Sequence, residues 1–200
     1  MAHDDRTDPR CDADALVVRA RTDRESFGKL YDLYYDRIYR YCVRRLYHRC
    51  GAEEGCADTF LYVAAHMPQF RGTTEREFRC WLYAVATNTV NSHVRRTRRR
   101  GELIQQAIER GKLRSVSTND SPRSTGAPDW NECYQAINQL RVREQSIVIL
   151  RFIEELSHEE IAATLRMSPG AVRVALSRAI EKLRKQLLPP EKPFPTSRER

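Results

Sequence analysis

Apolar residues return at every third or fourth position in two blocks of this 200-residue chain, and a polar stretch separates the blocks. This spacing places apolar side chains on one face of an α-helix, and no pair of strands with a hairpin turn signal is visible. The stretch over 115–129 is rich in Ser, Thr, Pro and Gly, which is typical of a linker. The sequence therefore predicts an all-α protein of two small helical domains joined by a flexible linker.

The two blocks set the predicted domain boundaries. We expect the first domain over residues 23–100 and the second over 130–188. The segment 101–129 is predicted to be the linker, although its first residues have enough apolar periodicity to prolong a helix. The charged, unpatterned residues 1–22 predict a disordered arm, and the proline-rich residues 189–200 predict a non-helical tail.

Composition excludes several classes of protein. Only 8 residues are glycine and 9 are proline, which argues against a turn-rich all-β fold and against low-complexity disorder. No apolar run is long enough to cross a membrane, and the first ten residues lack the apolar core of a secretory signal. We therefore expect a cytoplasmic chain with no membrane partner.

Neither a metal site nor a catalytic site is visible in the sequence. The six cysteines include no C-x-x-C pair, and we expect free thiols or small buried side chains. The five histidines are scattered, and there is no nucleophile with a neighbouring base and no glycine-rich phosphate loop. The sequence therefore predicts no metal, no cofactor and no catalytic residue.

The basic charge of the chain points to nucleic acid as its partner. The net charge is +8, and 30 of the 35 basic residues are arginine. Arginine offers a planar fork of donors that suits phosphates and guanine edges. The alternative is an arginine-rich surface that is only solvated, and the placement of the arginines is needed to separate the two.

The most specific local pattern is a helix-turn-helix over 156–183. Ser157 and Glu160 have the spacing of a capping box, which begins a short helix. After a tight turn, Ser168 is a suitable N-cap and Pro169 suits the first position of the next helix. A short helix, a tight turn and a capped second helix are the elements of a DNA-binding helix-turn-helix.

The charge of this motif is polarised. Residues 144–160 carry a net charge of −4 and residues 166–188 carry +5, which suits a second helix inserted in a major groove. The alternative is an amphipathic hairpin with a solvated basic face. The candidate contacts to duplex DNA are Ser168, Pro169, Gly170, Arg173, Val174, Ser177 and Arg178.

A second basic region lies at the end of the first domain. Residues 95–114 carry a net charge of +6, short polar side chains precede them, and three more arginines lie over 69–79. This combination suits exposed bases together with backbone phosphates, while the alternative is a charged run that keeps the chain soluble. The candidate residues are Arg71, Arg76, Arg79, Asn88, Ser92, Arg95 and Arg96.

Four segments together resemble a known family. They are FGKLYDLYYDRIYRYC, AEEGCADTFLYVAAHMPQFRG and EFRCWLYAVATNTVNSHVRR before the linker, and AINQLRVREQSIVILRFIEELSHEEIAATLRMSPGAVRVALSRAIEKLRKQL after it. In this order they resemble bacterial sigma factors of the sigma-70 family, of the extracytoplasmic-function (ECF) type. The resemblance covers about residues 24–188 and implies domains 2 and 4 of a sigma factor on a variable linker.

The resemblance implies a role for each region. The first domain would bind core RNA polymerase and the melted −10 element, and the helix-turn-helix would bind the −35 element. Contact with the β′ subunit would come from Glu54, Ala57, Asp58 and Leu61. The polymerase β and β′ subunits and promoter DNA are the implied partners, and an anti-sigma factor is a further one.

The chain departs from the family pattern at three places. Ala57 stands where the family usually has Gln, and Arg166 stands in the turn where the family usually has Gly. The basic-Ser-Arg run that is common in the recognition helix is Arg173-Val174-Ala175 here. These differences alter a polymerase contact, the backbone of the turn and the face that reads bases, so the promoter sequence does not follow from the resemblance.

The resemblance implies that the chain directs core RNA polymerase to specific promoters and promotes initiation, with no enzymatic activity of its own. The alternative is a helix-turn-helix regulator that binds an operator as a dimer. An enzyme with a hidden histidine or cysteine site is a third hypothesis. Transcription by core polymerase plus this chain alone would separate the first hypothesis from the other two.

Overall fold

The computed structural model of the chain describes residues 9–109 and 130–187, which form α-helices and one short 3₁₀ turn. The helices are α1 (Pro9–Arg19), α2 (Arg24–Leu46), α3 (Arg49–His66), α4 (Glu75–Glu109), α5 (Trp130–Gln139), α6 (Val142–Phe152), α7 (His158–Leu165) and α8 (Pro169–Leu187), and the turn is Met67–Gln69. No strand occurs in the two described ranges. None of their helices combines the length and the apolar character that a membrane span requires. The predicted all-α class is confirmed.

The predicted linker is partly helical. α4 continues past residue 100 and ends at Glu109, so the apolar periodicity noted there does prolong the helix. The remainder of the predicted linker, 110–129, and the predicted tail over 189–200 lie outside the described residues. The domain boundaries therefore stay a prediction.

The prediction of a disordered arm over 1–22 is wrong for Pro9–Arg19, which form α1. Val17 is fully buried and Ala20 is 5% exposed, and both join the core of the first domain. The segment has too few apolar residues to show a helical period in the sequence. The helix is instead stabilised by its packing on α2 and α4. Residues 1–8 lie outside the described residues.

The first domain packs α2, α3 and α4 around one apolar core. The carboxylate of Asp23 caps α2 by accepting hydrogen bonds from the Glu25 and Ser26 backbone N–H groups, at 3.2 and 2.9 Å. Within the core, the Tyr41 and Thr87 hydroxyls are hydrogen bonded at 2.8 Å, which satisfies two buried polar groups. The core side chains include Leu30, Tyr34, Ile38, Phe60, Val63, Phe78, Leu82, Ala86 and Val90.

The second domain is built from α5 to α8 and contains the predicted helix-turn-helix. The Ser157 hydroxyl accepts from the Glu160 N–H at 3.2 Å and the Glu160 carboxylate accepts from the Ser157 N–H at 2.8 Å, so the predicted capping box is present. α7 ends at Arg166, whose φ of 53° and ψ of 53° are left-handed. An arginine thus adopts the backbone conformation that glycine adopts at lower cost. The buried residues of the motif include Ile161, Ala162, Val172, Leu176 and Ala179.

Candidate nucleic-acid interface

One exposed face of α8 carries the residues predicted to contact duplex DNA. Val172, Leu176 and Ala179 point into the core, which turns the residues between them outward. The Ser168 hydroxyl accepts a hydrogen bond from the Ala171 N–H at 3.2 Å, so the predicted N-cap is present. We call seven residues the recognition face: Ser168, Pro169, Gly170, Arg173, Val174, Ser177 and Arg178.

The recognition face holds unpaired charge. No hydrogen bond or ion pair joins Arg173 or Arg178 to any other residue that the structure describes. Further along α8, by contrast, Lys182 lies 2.6 Å from Glu144 and Lys185 lies 2.7 Å from Glu181. The N-terminal half of α8 therefore presents guanidinium groups without hydrogen bonds or ion pairs to the described residues, whereas the two lysines of the C-terminal half already have carboxylate partners.

The loop over residues 70–74, between the 3₁₀ turn and α4, is held by aromatic packing. Phe70 stacks on Trp81 with ring centroids 4.7 Å apart, and it meets Phe78 edge-on. A Cβ on Gly72 would lie 2.4 Å from the Phe70 ring, so only glycine fits that position as built. Arg71 lies within this loop, is exposed, and makes no hydrogen bond or ion pair with the described residues.

The first turns of α4 place two predicted DNA contacts against the second domain. Arg79 donates a hydrogen bond to the Glu160 carboxylate, and the Arg76 Nε lies 3.5 Å from the same oxygen. Glu160 is only 6% exposed. Burial alone would raise the pKa of Glu160, but hydrogen bonds from Ser157 and Arg79 outweigh burial and hold the pKa below its ordinary value. Glu160 is therefore ionised at neutral pH and occupies both arginines.

The middle of α4 borders a groove between the domains. Asn88 and Ser92 are exposed on α4 and line a groove of about 740 Å³ together with Trp81, Thr164 and Arg166. A groove lined by amides, hydroxyls, an indole and an arginine offers stacking and hydrogen bonds to an unpaired base. The structure thus brings Asn88 and Ser92 together on one groove, whereas Arg76 and Arg79 line a separate pocket with Glu160.

The C-terminal half of α4 contains the arginine run, which is exposed to solvent. Residues 95–100 are all exposed. Arg96 Nη1 lies 3.6 Å from the Glu54 carboxylate, an exposed pair that is worth little in water. At 1.5 Å rise per residue, Arg95 is about 24 Å along the helix axis from Arg79. The seven candidate residues for unpaired DNA therefore lie along one helix and its preceding loop and do not form one compact site.

The outer face of α3 carries the four residues that the resemblance assigns to polymerase binding. Cys56, Phe60 and Val63 turn inward to the core. Leu61 is 69% exposed and its neighbour Tyr62 is 49% exposed, which is unusual for large apolar side chains on one helix. We call four residues the docking face: Glu54, Ala57, Asp58 and Leu61.

His93 of α4 contacts two carboxylates of the docking face, which the sequence did not predict. The His93 side chain is 8% exposed, its Nε2 lies 3.1 Å from the Asp58 carboxylate, and its Nδ1 lies 3.9 Å from Glu54. The ligand atoms of these three residues lie within 4.8 Å of one another. Each ring nitrogen of His93 faces a different carboxylate, and Arg96 contacts Glu54, so each of these carboxylates has a partner within the protein. The prediction of no metal site stays a prediction.

The second domain also contacts α2 and α4 through residues that the sequence did not single out. Arg44 Nη1 lies 3.3 Å from Glu154, and the Tyr83 hydroxyl donates to the same carboxylate. Arg45, only 1% exposed, donates to Gln145 and, at 2.7 Å, to Asn91. The acidic run over 144–160 therefore has partners in the first domain. A charge sum along the chain could not reveal them, because the paired residues are about 70 to 110 positions apart.

Five cysteines in the described part of the chain are free thiols. Burial raises the pKa of the Cys56 thiol to about 11 and also raises the pKa of Cys42. Both thiols are therefore protonated at neutral pH and unreactive. This agrees with the expectation of small buried side chains for these two cysteines.

Comparison with known proteins matches each domain to a region of the sigma-70 family. The model of Sigma-70 region 2 matches residues 30–100, and the model of Sigma-70, region 4 matches residues 131–183. The ECF RNA polymerase sigma factor BldN of Streptomyces coelicolor is 31% identical over 191 residues, which cover 90% of this chain and 69% of BldN. The RNA polymerase sigma factor YlaC of Bacillus subtilis is 32% identical over 168 residues, covering 82% of this chain and 93% of YlaC.

A solved structure shares the fold. The sigma factor RpoE of Bartonella quintana, solved in complex with the anti-sigma factor NepR, has a TM-score of 0.62 to this chain at 21% identity. The match covers 82% of this chain and 97% of that chain. The matches to Sigma-70 regions 2 and 4 define a DNA-binding protein of transcription initiation.

With both sigma regions matched in order, the chain belongs to the ECF type of the sigma-70 family of RNA polymerase sigma factors. It binds core RNA polymerase and directs it to promoters. A dimeric operator-binding regulator would not need the region 2 domain that the match over residues 30–100 identifies.

Proposed function

We propose that three separate surfaces divide the work of this sigma factor. The recognition face of α8 binds the −35 duplex, α4 and the 70–74 loop hold the melted −10 strand, and the docking face of α3 binds the polymerase β′ subunit. The observation that supports this division best is the recognition face, where the predicted residues share one side of α8 and its two arginines have no partner among the described residues.

At the −35 element, the N-terminal half of α8 enters the major groove. Arg173 is placed to donate two hydrogen bonds to a guanine edge, and Val174, which is 52% exposed, offers an apolar contact for a thymine methyl. Arg178, one turn further along, binds phosphate and sets the register of the helix on the duplex. An apolar residue at position 174 in place of a hydrogen-bonding one shifts the preference of this face toward thymine.

At the −10 element, Asn88 and Ser92 hydrogen bond to unpaired bases in the groove beside α4, and the exposed arginines hold the backbone. Arg71 and Arg95 are available for phosphates as the structure stands. Arg76 and Arg79 become available only when Glu160 releases them. Binding of unpaired bases favours the melted promoter because a ligand stabilises the state that it binds better.

At the polymerase, the docking face combines an apolar centre with two carboxylates. Leu61 supplies exposed apolar area, and Glu54 and Asp58 supply charge for basic residues on the partner. Ala57 removes the hydrogen-bonding side chain that the family usually has at this position. Affinity for the core therefore depends more on Leu61 and Asp58 than the family pattern suggests.

The chain itself carries out no catalysis in this proposal, because the polymerase supplies the chemistry of RNA synthesis. The protein acts in the cytoplasm, where RNA polymerase is found. An anti-sigma factor is a further proposed partner, which would cover one of the three surfaces.

The test combines transcription with a docking variant. Core polymerase plus this chain is expected to give specific transcripts from promoters found by mapping the 5′ ends of RNAs that the chain induces in cells. Asp58→Arg reverses the charge at the docking face and is expected to abolish capture of core polymerase. Asp12→Arg, an equal charge change at an exposed position of α1, is the matched control.

Two outcomes would count against the proposal. Undiminished capture of core polymerase by Asp58→Arg would remove the docking face as assigned. Binding of the wild-type chain to a palindromic operator without polymerase, with no specific transcription when core is added, would favour a dimeric regulator.

A further inference from the structure

α1 is firmly attached to the first domain. Val17 is fully buried against the core, and Ala20 at the end of the helix is 5% exposed. α1 contacts both α2 and α4. These contacts fix the position of α1 relative to the start of α4, so polar side chains on α1 can act there with little entropic cost.

The carboxylate of Asp14 lies at the N-terminus of α4. Its Oδ1 accepts a hydrogen bond from the Glu75 backbone N–H at 2.6 Å. The first N–H groups of a helix have no partner within the helix, and a negative charge there is favoured by the helix dipole. Asp14 thus performs, from a separate helix 61 positions away in the chain, the task that an N-cap residue performs locally.

Arg21, just after α1, reaches the middle of the same loop. Its guanidinium donates a hydrogen bond to the Gly72 carbonyl oxygen. The Arg21 Nε is buried and has no hydrogen-bond partner among the described residues. A buried guanidinium with an unpaired nitrogen is costly, so the contact to Gly72 is the favourable interaction that places Arg21 there.

The loop is also fixed from its own side. Glu77 accepts hydrogen bonds from the Thr73 and Thr74 N–H groups, at 2.8 and 3.1 Å, and from the Thr74 hydroxyl at 3.0 Å. These bonds fasten the last two residues of the loop to α4. Asp14 and Arg21 add the only two side-chain hydrogen bonds to the 70–75 backbone from outside the 70–77 segment among the described residues. Between these attachments, Arg71 points to solvent and is unpaired.

We propose that α1 is a positioning element for the 70–74 loop, acting through Asp14 and Arg21, and that it thereby sets how selectively the −10 strand is read. The inference rests on the proposed role of the loop in −10 binding. Asp14 and Arg21 are positioning residues and touch no base themselves. They hold Arg71 and the start of α4 in the geometry in which the unpaired strand is bound.

The experiment uses the full chain with core polymerase at a promoter found by 5′-end mapping. The variants are Asp14→Ala, Asp14→Asn and Arg21→Met. Asp12→Ala is the matched control, since Asp12 is exposed on the same helix and makes no hydrogen bond or ion pair with the described residues. The readout is the ratio of transcription from the natural promoter to transcription from promoters with single-base changes in the −10 element.

A reduced fraction of folded protein does not change this ratio. A variant that folds less completely lowers transcription from every promoter by the same factor and leaves the ratio unchanged. Asp14→Ala and Arg21→Met are each expected to lower the ratio about fivefold, the size expected from losing one hydrogen bond that holds the loop backbone. Asp14→Asn is expected to restore most of the ratio because its amide oxygen still accepts from the Glu75 N–H.

Each result decides the proposal. A ratio for Asp14→Ala equal to that of the wild-type chain overturns it, and so does an equal loss in Asp12→Ala. Capture of core polymerase is expected to stay within about twofold for every variant, because Asp14 and Arg21 bond to the 70–75 backbone and share no partner with the docking face among the described residues. Failure of the wild-type chain to give any specific transcript would overturn the proposed function instead, so the two failures are distinguishable.

Discussion

The two regions proposed to contact DNA are both rich in arginine, but among the described residues the arginines of one region lack ion pairs and two arginines of the other already form them. On the recognition face of α8, Arg173 and Arg178 are exposed and have no partner in the described part of the chain. At the start of α4, Arg76 and Arg79 share the buried carboxylate of Glu160 from the second domain. The same residue type is thus free in one region and occupied in the other, and only the tertiary contact makes the difference.

The comparison shows that the acidic side of the helix-turn-helix has two tasks. Glu160 caps α7 through its hydrogen bond with the Ser157 N–H, and it also binds the first domain through Arg79. A promoter contact by Arg79 therefore competes with a contact inside the protein. Under the proposed assignment, the recognition face is ready to bind the −35 element as it stands, whereas Arg76 and Arg79 must first leave Glu160 to bind the −10 strand.

The largest expected effect is at the free region. Arg173→Ala removes the guanidinium that our proposal places against the base edges, and it is expected to weaken −35 binding by about 1–3 kcal/mol and to relax specificity at one base pair. The measurement is transcription by core polymerase plus the variant, on promoters with each base of the −35 element substituted. Arg184→Ala, on the same helix but outside the recognition face, is the control and is expected to relax specificity at no position. Unchanged base preference in Arg173→Ala would contradict the placement of this residue in the groove.

A smaller effect is expected at the occupied region. Glu160→Gln keeps an oxygen that accepts the Ser157 N–H hydrogen bond and so preserves the cap of α7, but it removes the charge that holds Arg76 and Arg79. The amide NH2 that replaces the other carboxylate oxygen is a donor and cannot accept a hydrogen bond from Arg79. The arginines are therefore freed for DNA, and opening of the promoter is expected to be about threefold faster. The measurement is the rate at which −10 thymines become reactive to permanganate.

Glu155→Gln is the matched control for this change. Glu155 is exposed and, within the described residues, makes no hydrogen bond or ion pair to the first domain. It is expected to open promoters at the wild-type rate. Equal acceleration in both variants would mean that the net charge of the chain matters and that the Glu160 contact does not.

The smallest effect is expected in the turn that carries the free region. Arg166 has a left-handed backbone that costs an L-residue more than glycine. Arg166→Gly is expected to raise the free energy of unfolding by about 0.5 kcal/mol, because relief of this strain exceeds the entropy that glycine adds to the unfolded chain. Chemical denaturation measures the change, and Arg166→Ala, which keeps the strain, is expected to give no gain. A loss of stability in Arg166→Gly would show that the arginine side chain contributes more than its backbone costs.

The sequence by itself determined the helix-turn-helix and the parts of the site that depend on near neighbours. The capping box of Ser157 and Glu160, the N-cap at Ser168 and the exposed side of α8 all follow from interactions within a few residues, or from the period of 3.6. The family resemblance was equally accessible, because it rests on the order of motifs along the chain. Both kinds of information can be obtained from the sequence without knowing how the helices pack.

Only the tertiary structure decided which charges are free. Arg79 and Glu160 are 81 positions apart, and Asp14 and Glu75 are 61 positions apart, so neither pair leaves a pattern in the sequence. The helix α1 was missed for a related reason, since its order comes from burying Val17 and Ala20 against other helices. The free energy of an ion pair or a buried helix face depends on what packs against it, and that partner is chosen by the fold.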